Sequence, residues 1–381
     1  MTPSFRSIDV LSDAVRLAGI VHAERTDEGV TLHRMPAWAR TQHNDPSLPV
    51  LEAMPSGARI EMRTDATEIE IDAHLTLIQL LPRPVAPAVF ELFVDGTPCD
   101  EQRTSVGTLV VIDPRSSAIE FVPGGADTIR FAGLPEGDKR VEIWLPHASV
   151  VTLKDLRANG SASKPARAGR RWVHYGSSIS HCFEAARPTN VWPVVAARRA
   201  GTDLLNLGFA GQCHLDPFAA RIIAQQPADL VSVKLGVNIV NGDTMRERTF
   251  VPAVHGVLDT IRDRHPVAPL LVISPIIFPA AEDHPGPTRP NDVGQVECLP
   301  RSPELSVGSL TIRRIRELEE QIVAQRRSDG DENLHYLDGQ RLFGASDTGD
   351  LPDGLHPNSE GYVRMGERFY EIAFVRGPFR D

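Results

Sequence analysis

Between Gly57 and Leu156 apolar residues return at every second position, in short runs. Ile69, Ile71, Ala73 and Leu75 alternate with polar neighbours, and Phe90, Leu92 and Val94 do the same. Ile119 with Phe121, Ile129 with Phe131, and Val141, Ile143 and Leu145 continue the pattern. A period of two places each set on one face of a strand. Asp95-Gly96, Gly124-Gly125 and Glu136-Gly137-Asp138 punctuate the runs, and Asp-Gly between alternating segments is a hairpin signal. Short strands at this spacing predict an antiparallel β-sandwich. The less regular stretch from Ile8 to Val50 is expected to add edge strands.

The rhythm changes after Arg157–Arg170, a stretch of Ala, Ser, Gly and Arg with almost no large apolar residue. That composition suits a linker. Beyond it, continuous apolar runs alternate with helical patterns. Strands are expected at Trp172–Tyr175, Leu204–Leu207, Leu230–Leu235, Leu270–Ile277 and Leu334–Leu337. Helices are expected at Val191–Ala200, ending at Gly201, and at Pro217–Gln225, Phe250–Arg264, Leu305–Arg327 and Ser359–Phe374. This alternation predicts a parallel sheet covered on both faces. The expected division is a β-sandwich domain over 1–156, a linker over 157–170 and an α/β domain over 171–381.

In such a sheet a ligand binds beyond the carboxyl ends of the strands. The first strand ends in Gly176-Ser177-Ser178, the second runs into Gly208-Phe209-Ala210-Gly211, and the third into Gly236-Val237-Asn238. After the fifth comes Asp353-Gly354-Leu355-His356-Pro357. A serine hydroxyl needs an adjacent base to act as a nucleophile, and that base needs an orienting group. Ser178 is the candidate nucleophile, His356 the base, and Asp353, three residues earlier, the orienting carboxylate. An oxyanion needs preorganised donors. The backbone N–H groups of Ser178 and Gly211 and the side-chain amide of Asn238 could supply them.

These four segments resemble the sequence blocks of the SGNH hydrolases, or GDSL esterases and lipases, whose Ser, Gly, Asn and His correspond to Ser178, Gly211, Asn238 and His356. The family's Asp-x-x-His pair corresponds to Asp353 and His356. The resemblance spans about residues 171–374 and implies a flavodoxin-like three-layer α/β/α fold. Two positions depart from the pattern: Ser177 stands where the family has Asp, and Ile239 where Asp often follows the Asn. A narrower likeness, to two-domain members with a sandwich ahead of the hydrolase domain, implies acyl transfer. The donor would be a coenzyme A thioester used as co-substrate, with no bound cofactor, and the acceptor a polyketide hydroxyl. Ester hydrolysis, for instance of carbohydrate esters, is the alternative, because both reactions pass through the same acyl-enzyme.

Charge and composition narrow the partners. Lys and Arg number 40 against 50 Asp and Glu, a net charge of −10, which argues against a nucleic-acid partner. No apolar run approaches the roughly 20 residues that span a bilayer, and the N-terminus lacks a signal-peptide pattern, so a cytoplasmic location is expected. The four cysteines, Cys99, Cys182, Cys213 and Cys298, show no paired spacing and are read as reduced thiols. His174, His181 and His214 lack metal-ligand spacing, so no metal is expected, and His181 and His214 are read as pocket-lining or satisfied by backbone. Pro279–Ser306, rich in proline, is expected to be a substrate-binding wall, and Arg313, Arg314 and Arg316 a solvated helix face.

Overall fold

The computed structural model describes residues 5–113, 118–167 and 169–380. The chain forms two compact units. One comprises Met1–Ala168 with Arg187–Thr189, the other Gly169–Ala186 with Asn190–Asp381.

The N-terminal unit holds two sheets, of eight and six strands among the described residues. The larger runs in the order Ala118–Val122, Thr108–Asp113, Glu68–Leu80, Ser149–Ala158, Gly29–His33, His22–Thr26. The smaller runs Ala162–Ser163, Arg59–Thr64, Lys139–Trp144, Ala88–Val94, Thr97–Thr104. Glu68–Leu80 shows the alternation most clearly, with Ile69, Ile71, Ala73 and Leu75 all buried. They share one core cluster with Phe90, Leu92, Val141 and Ile143 of the smaller sheet. Each buried Ile, Leu, Val or Phe among them contributes on the order of 1.5–3 kcal/mol against an exposed reference. Asp95 and Gly96 both have positive φ, 49° and 80°, and close the tight hairpin between Ala88–Val94 and Thr97–Thr104.

Three expectations need correction here. The pairing is not wholly antiparallel, since Glu68–Leu80 and Thr108–Asp113 run parallel. Ile119 and Phe121 do not face a core but are 58% and 67% exposed, because Ala118–Val122 is an edge strand uncovered on both faces. The stretch expected as a linker also contributes to the sheets. Arg157 and Ala158 end the strand Ser149–Ala158, and Ala162–Ser163 pairs with Arg59–Thr64. Backbone ladders need no apolar side chains, so composition alone missed them.

The C-terminal unit is built on five parallel strands, Arg171–Gly176, Asp203–Gly208, Leu230–Lys234, Leu270–Ile273 and Leu334–Leu337. Taken in chain order as one to five, they lie 2-1-3-4-5, the flavodoxin-like order. The direction of winding reverses after the second strand, so right-handed crossovers send the helices between strands two and five to the face opposite the first helix. Trp192–Ala200 accordingly packs with Ser359–Phe369, and Glu247–Arg262 packs with both Pro217–Gln225 and Ile312–Ser328. Trp172 on the first strand stacks on Phe369 at 5.1 Å and 8°, which ties the last helix to the sheet. Gly201 ends its helix in the left-handed conformation, as its position predicts. The long charged helix starts at Ile312 rather than Leu305, where the Thr311 hydroxyl accepts from Arg314 N at 3.1 Å. Among the described residues no helix is long and apolar enough to cross a membrane.

Candidate active site

The first strand ends at Gly176, and Ser178 opens a single helical turn, Ser178–His181. Two glycines let that turn settle onto the strand ends. A Cβ on Gly176 would meet Ser180 Oγ at 2.3 Å, and one on Gly208 would meet the Ser180 carbonyl carbon at 2.5 Å. Polar groups then pin the turn. Asn206 Nδ2 donates to the Ser180 carbonyl at 2.8 Å, and Trp192 Nε1 donates to the Ile179 carbonyl at 2.8 Å. His174, wholly buried, bridges Ser232 Oγ and Ser180 Oγ at 2.8 and 2.7 Å. Burial first, and the Lys234 charge second, push the His174 imidazole down to about 3, so it is neutral. Ser177 accepts from Ile179 N at 3.3 Å and caps the turn, a role open to the family's Asp as well.

Ser178 Oγ donates to His356 Nε2 at 2.9 Å, and His356 Nδ1 donates to Asp353 Oδ2 at 2.7 Å. The other Asp353 oxygen accepts the backbone N–H groups of Leu355 and His356 at 2.9 and 2.7 Å. Gly354, at φ 82°, provides the turn that brings those N–H groups round. Burial would raise the Asp353 carboxyl, but its bonds to His356 and to these backbone donors overcome that and hold it at about 2. It is therefore a carboxylate at neutral pH. Asn358 caps the following helix by accepting from Gly361 N at 2.8 Å, so the loop is anchored immediately past the imidazole.

Gly211 lies in the loop after the second strand at φ 71°, and Asn238 is the second residue of the helix Val237–Gly242 after the third. The Asn238 side chain is buried, and its Oδ1 accepts from Cys213 N at 3.0 Å. That bond joins the two loops and leaves the Asn238 NH2 as the donating end. A Cβ on Gly211 would meet nothing within 4 Å, so the conformation, rather than crowding, calls for glycine there. Ile239 is fully buried apolar packing.

Other residues weighed from the sequence have structural roles. His181 is buried with its ring 4.5 Å from Phe183, and His214 bridges Thr244 Oγ1 and the Gly211 carbonyl at 3.1 and 2.9 Å. No cysteine is in a disulfide. Burial pushes the Cys213 thiol up to about 12 and Cys182 well above its ordinary value, which makes both inert packing groups. Arg313 pairs with Asp283 at 2.6 Å and Arg314 with Glu247 at 2.8 Å. Arg316 departs from the solvated-face reading, being buried against Glu282. Ligand atoms of Glu184, Asp353 and His356 lie within 4.8 Å of one another, but a cation there would compete with the Asp353–His356 bond.

The segment after the fourth strand folds into a hairpin, Thr288–Pro290 with Val296–Cys298. Val296 N donates to the Asp353 carbonyl at 2.8 Å, and Gln295 Nε2 to the Pro352 carbonyl at 2.7 Å. At its base Thr288 Oγ1 donates to Asn241 Oδ1 at 3.2 Å, on the helix that carries Asn238. One excursion thus grips both the Asp353–His356 loop and the Asn238 helix. Sequence reading missed this bracing, along with the roles of His174, Asn206 and Ser180 beneath the nucleophile. Asn206 and His174 sit mid-strand in a buried run, and a polar residue there is the signal that could have found them.

Solved structures resemble the chain along nearly its whole length. A salicylyl-acyltransferase from a tetracycline biosynthetic pathway is 27% identical, with a TM-score of 0.79, covering 96% of this chain and 95% of that one. A GDSL-like lipase from Bacteroides ovatus has a TM-score of 0.67 at 19% identity, covering 96% of each chain. A family two carbohydrate esterase from Cellvibrio japonicus has a TM-score of 0.57 at 12% identity, again over 96% of each. No curated protein sequence matches the chain. The GDSL-like lipase/acylhydrolase profile matches residues 174–364, from the buried histidine beneath the Ser178 turn to the helix behind the Asp353–His356 loop. The chain therefore belongs to the GDSL-like lipase/acylhydrolase family, whose members transfer or hydrolyse acyl groups on a serine.

Proposed function

We propose that the protein is a serine acyltransferase that moves an aryl acyl group, salicylyl-like in size, from a coenzyme A thioester to a hydroxyl of a tetracycline-type polyketide, in antibiotic biosynthesis. The observation that carries this reading is the likeness to the salicylyl-acyltransferase, which extends over 96% of the chain at 27% identity. In this reading the two-sheeted N-terminal unit is a β-sandwich domain preceding the catalytic domain, and the protein works in the cytoplasm. The 288–298 hairpin walls the substrate site.

Ser178 Oγ attacks the thioester carbonyl carbon while its proton passes to His356 Nε2. Asp353 stabilises the resulting imidazolium through Nδ1–H. The developing oxyanion is met by the N–H groups of Ser178 and Gly211 and by the Asn238 amide. The C–S bond then breaks, and His356 returns the proton to the departing thiolate. The acceptor hydroxyl gives its proton to His356 and attacks the acyl-enzyme, a second tetrahedral intermediate collapses, and Ser178 recovers its proton.

Hydrolysis is the second reading, favoured by the lipase/acylhydrolase family to which the chain belongs. The two differ in what resolves the acyl-enzyme. Intact-protein mass spectrometry after mixing with aryl thioesters, with Ser178→Ala as control, separates them. A transferase shows a Ser178-dependent adduct that persists in water and clears when a polycyclic alcohol is added. An adduct that clears equally fast in water identifies an esterase. Absence of an adduct with every donor overturns the acyl-transfer reading.

A further inference from the structure

The His356 imidazole faces a second carboxylate. Glu184 Oε1 lies 3.9 Å from His356 Nδ1, the same nitrogen that donates to Asp353. Glu184 follows the Ser178–His181 turn by three residues, so it comes from the nucleophile's side of the site. Tyr362, buried in the helix that follows the His356 loop, donates its hydroxyl to Glu184 Oε2 at 3.0 Å. Ser359 Oγ accepts from Ala186 N at 2.9 Å and ties the same segment to that helix. Both the side chain and its backbone are therefore held. Glu184 is 20% exposed and close enough to act on the imidazole. Burial, and then the Glu184 charge, push the Tyr362 phenol well above its ordinary value, so the hydroxyl stays a donor.

We propose that Glu184 is a positioning residue for the acyl transfer, a second carboxylate that stabilises the His356 imidazolium and partly substitutes for Asp353 when that side chain is lost. The inference rests on the Ser178–His356 reading of the site. The groups arranged about the imidazole are the Ser178 hydroxyl, the Asp353 and Glu184 carboxylates and, behind Glu184, the Tyr362 phenol and Cys182 thiol. The phenol and the thiol are both pushed well above their ordinary values and stay neutral. A negative charge at this distance favours the protonated imidazole. Removing it lowers the pH at which His356 becomes a free base, so the acid limb of the rate profile moves to lower pH.

The test is the pH profile of acylation by p-nitrophenyl acetate, read as the burst of p-nitrophenol, which both transferase and hydrolase give. Glu184→Gln is expected to move the acid limb down by about one pH unit, with Glu184→Asp restoring at least half of the shift. Tyr362→Phe keeps the charge and should leave the limb within about 0.3 of wild type. The limb's position does not depend on how much protein is folded, so a loss of yield cannot mimic the result. In the second arm, Asp353→Ala should remain about tenfold more active than His356→Ala, and adding Glu184→Gln should erase that margin. An unmoved limb in Glu184→Gln, or a double variant no worse than Asp353→Ala, overturns the proposal. Either result alongside an intact Ser178 adduct fails Glu184 alone, whereas loss of the adduct fails the acyl-transfer reading beneath it.

Discussion

At Ser178 the hydroxyl sits 2.9 Å from His356 Nε2, and the opposite ring nitrogen is 2.7 Å from a carboxylate held at about 2. That chain of donors sets the cost of each deletion. Ser178→Ala and His356→Ala are each expected to lower kcat/KM by at least about 10³, the loss typical of triad members. Asn238→Ala removes one oxyanion donor and is expected to cost about 10²–10³ in kcat with KM little changed. Steady-state rates on an aryl ester check both, and activity of Ser178→Ala within tenfold of wild type would sink the nucleophile assignment. Ser178 and Asn238 were legible in the sequence because each falls just past a strand end, and His356 because Asp353 stands three residues before it on one loop. Glu184 was not, because its place beside His356 is set by packing between segments about 170 residues apart.

Among the elements, the hairpin after the fourth strand decides how rigidly the rim is held. Gly286, at its base, lies so close to the Val240 carbonyl oxygen that a Cβ would come within 1.7 Å of it. Val240 is on the Asn238 helix and its carbonyl cannot rotate away, so Gly286→Ala must push the hairpin off that helix. The expected result is a fall in kcat/KM of roughly tenfold, since small misplacements of catalytic groups carry costs of this order. Acylation kinetics with the urea midpoint measured in parallel check it. Wild-type rates in Gly286→Ala would show that the bracing is dispensable. The proline-rich composition of this segment marked it as irregular, but its partners lie at residues 240–241 and 352–353, and no local pattern names them.

For the whole molecule, burial of titratable groups couples folding to pH. His174 has a folded pKa of about 3, well below that of an exposed imidazole, so the unfolded chain binds its proton first as pH falls. Its contribution to stability is complete above about 6.5 and is lost progressively towards 3. Between pH 7.5 and 5 this amounts to about 2 kcal/mol. Glu319, pushed well above its ordinary value by burial, titrates in the opposite sense, so a single wild-type profile mixes the two. The difference from His174→Gln isolates the histidine, and urea unfolding at the two pH values should show wild type losing about 2 kcal/mol more than the variant. Equal losses would mean that His174 is not held neutral.

The sequence alone determined the class of each half of the chain, since a period of two and an alternation of apolar runs with helical faces follow from local backbone geometry. It also pointed to the candidate nucleophile, base, orienting carboxylate and oxyanion donors, because a parallel sheet delivers its strand ends to one rim whatever the loops contain. Only the tertiary structure decided which strands pair, that Ala118–Val122 lies uncovered at an edge, and that Arg157–Arg170 still supplies strand residues. It alone decided what braces the site: the His174 bridge, the hairpin's grip on two loops, and Glu184 beside the imidazole. Those features depend on distances between residues far apart in the chain, and such distances follow from the packing of the completed core.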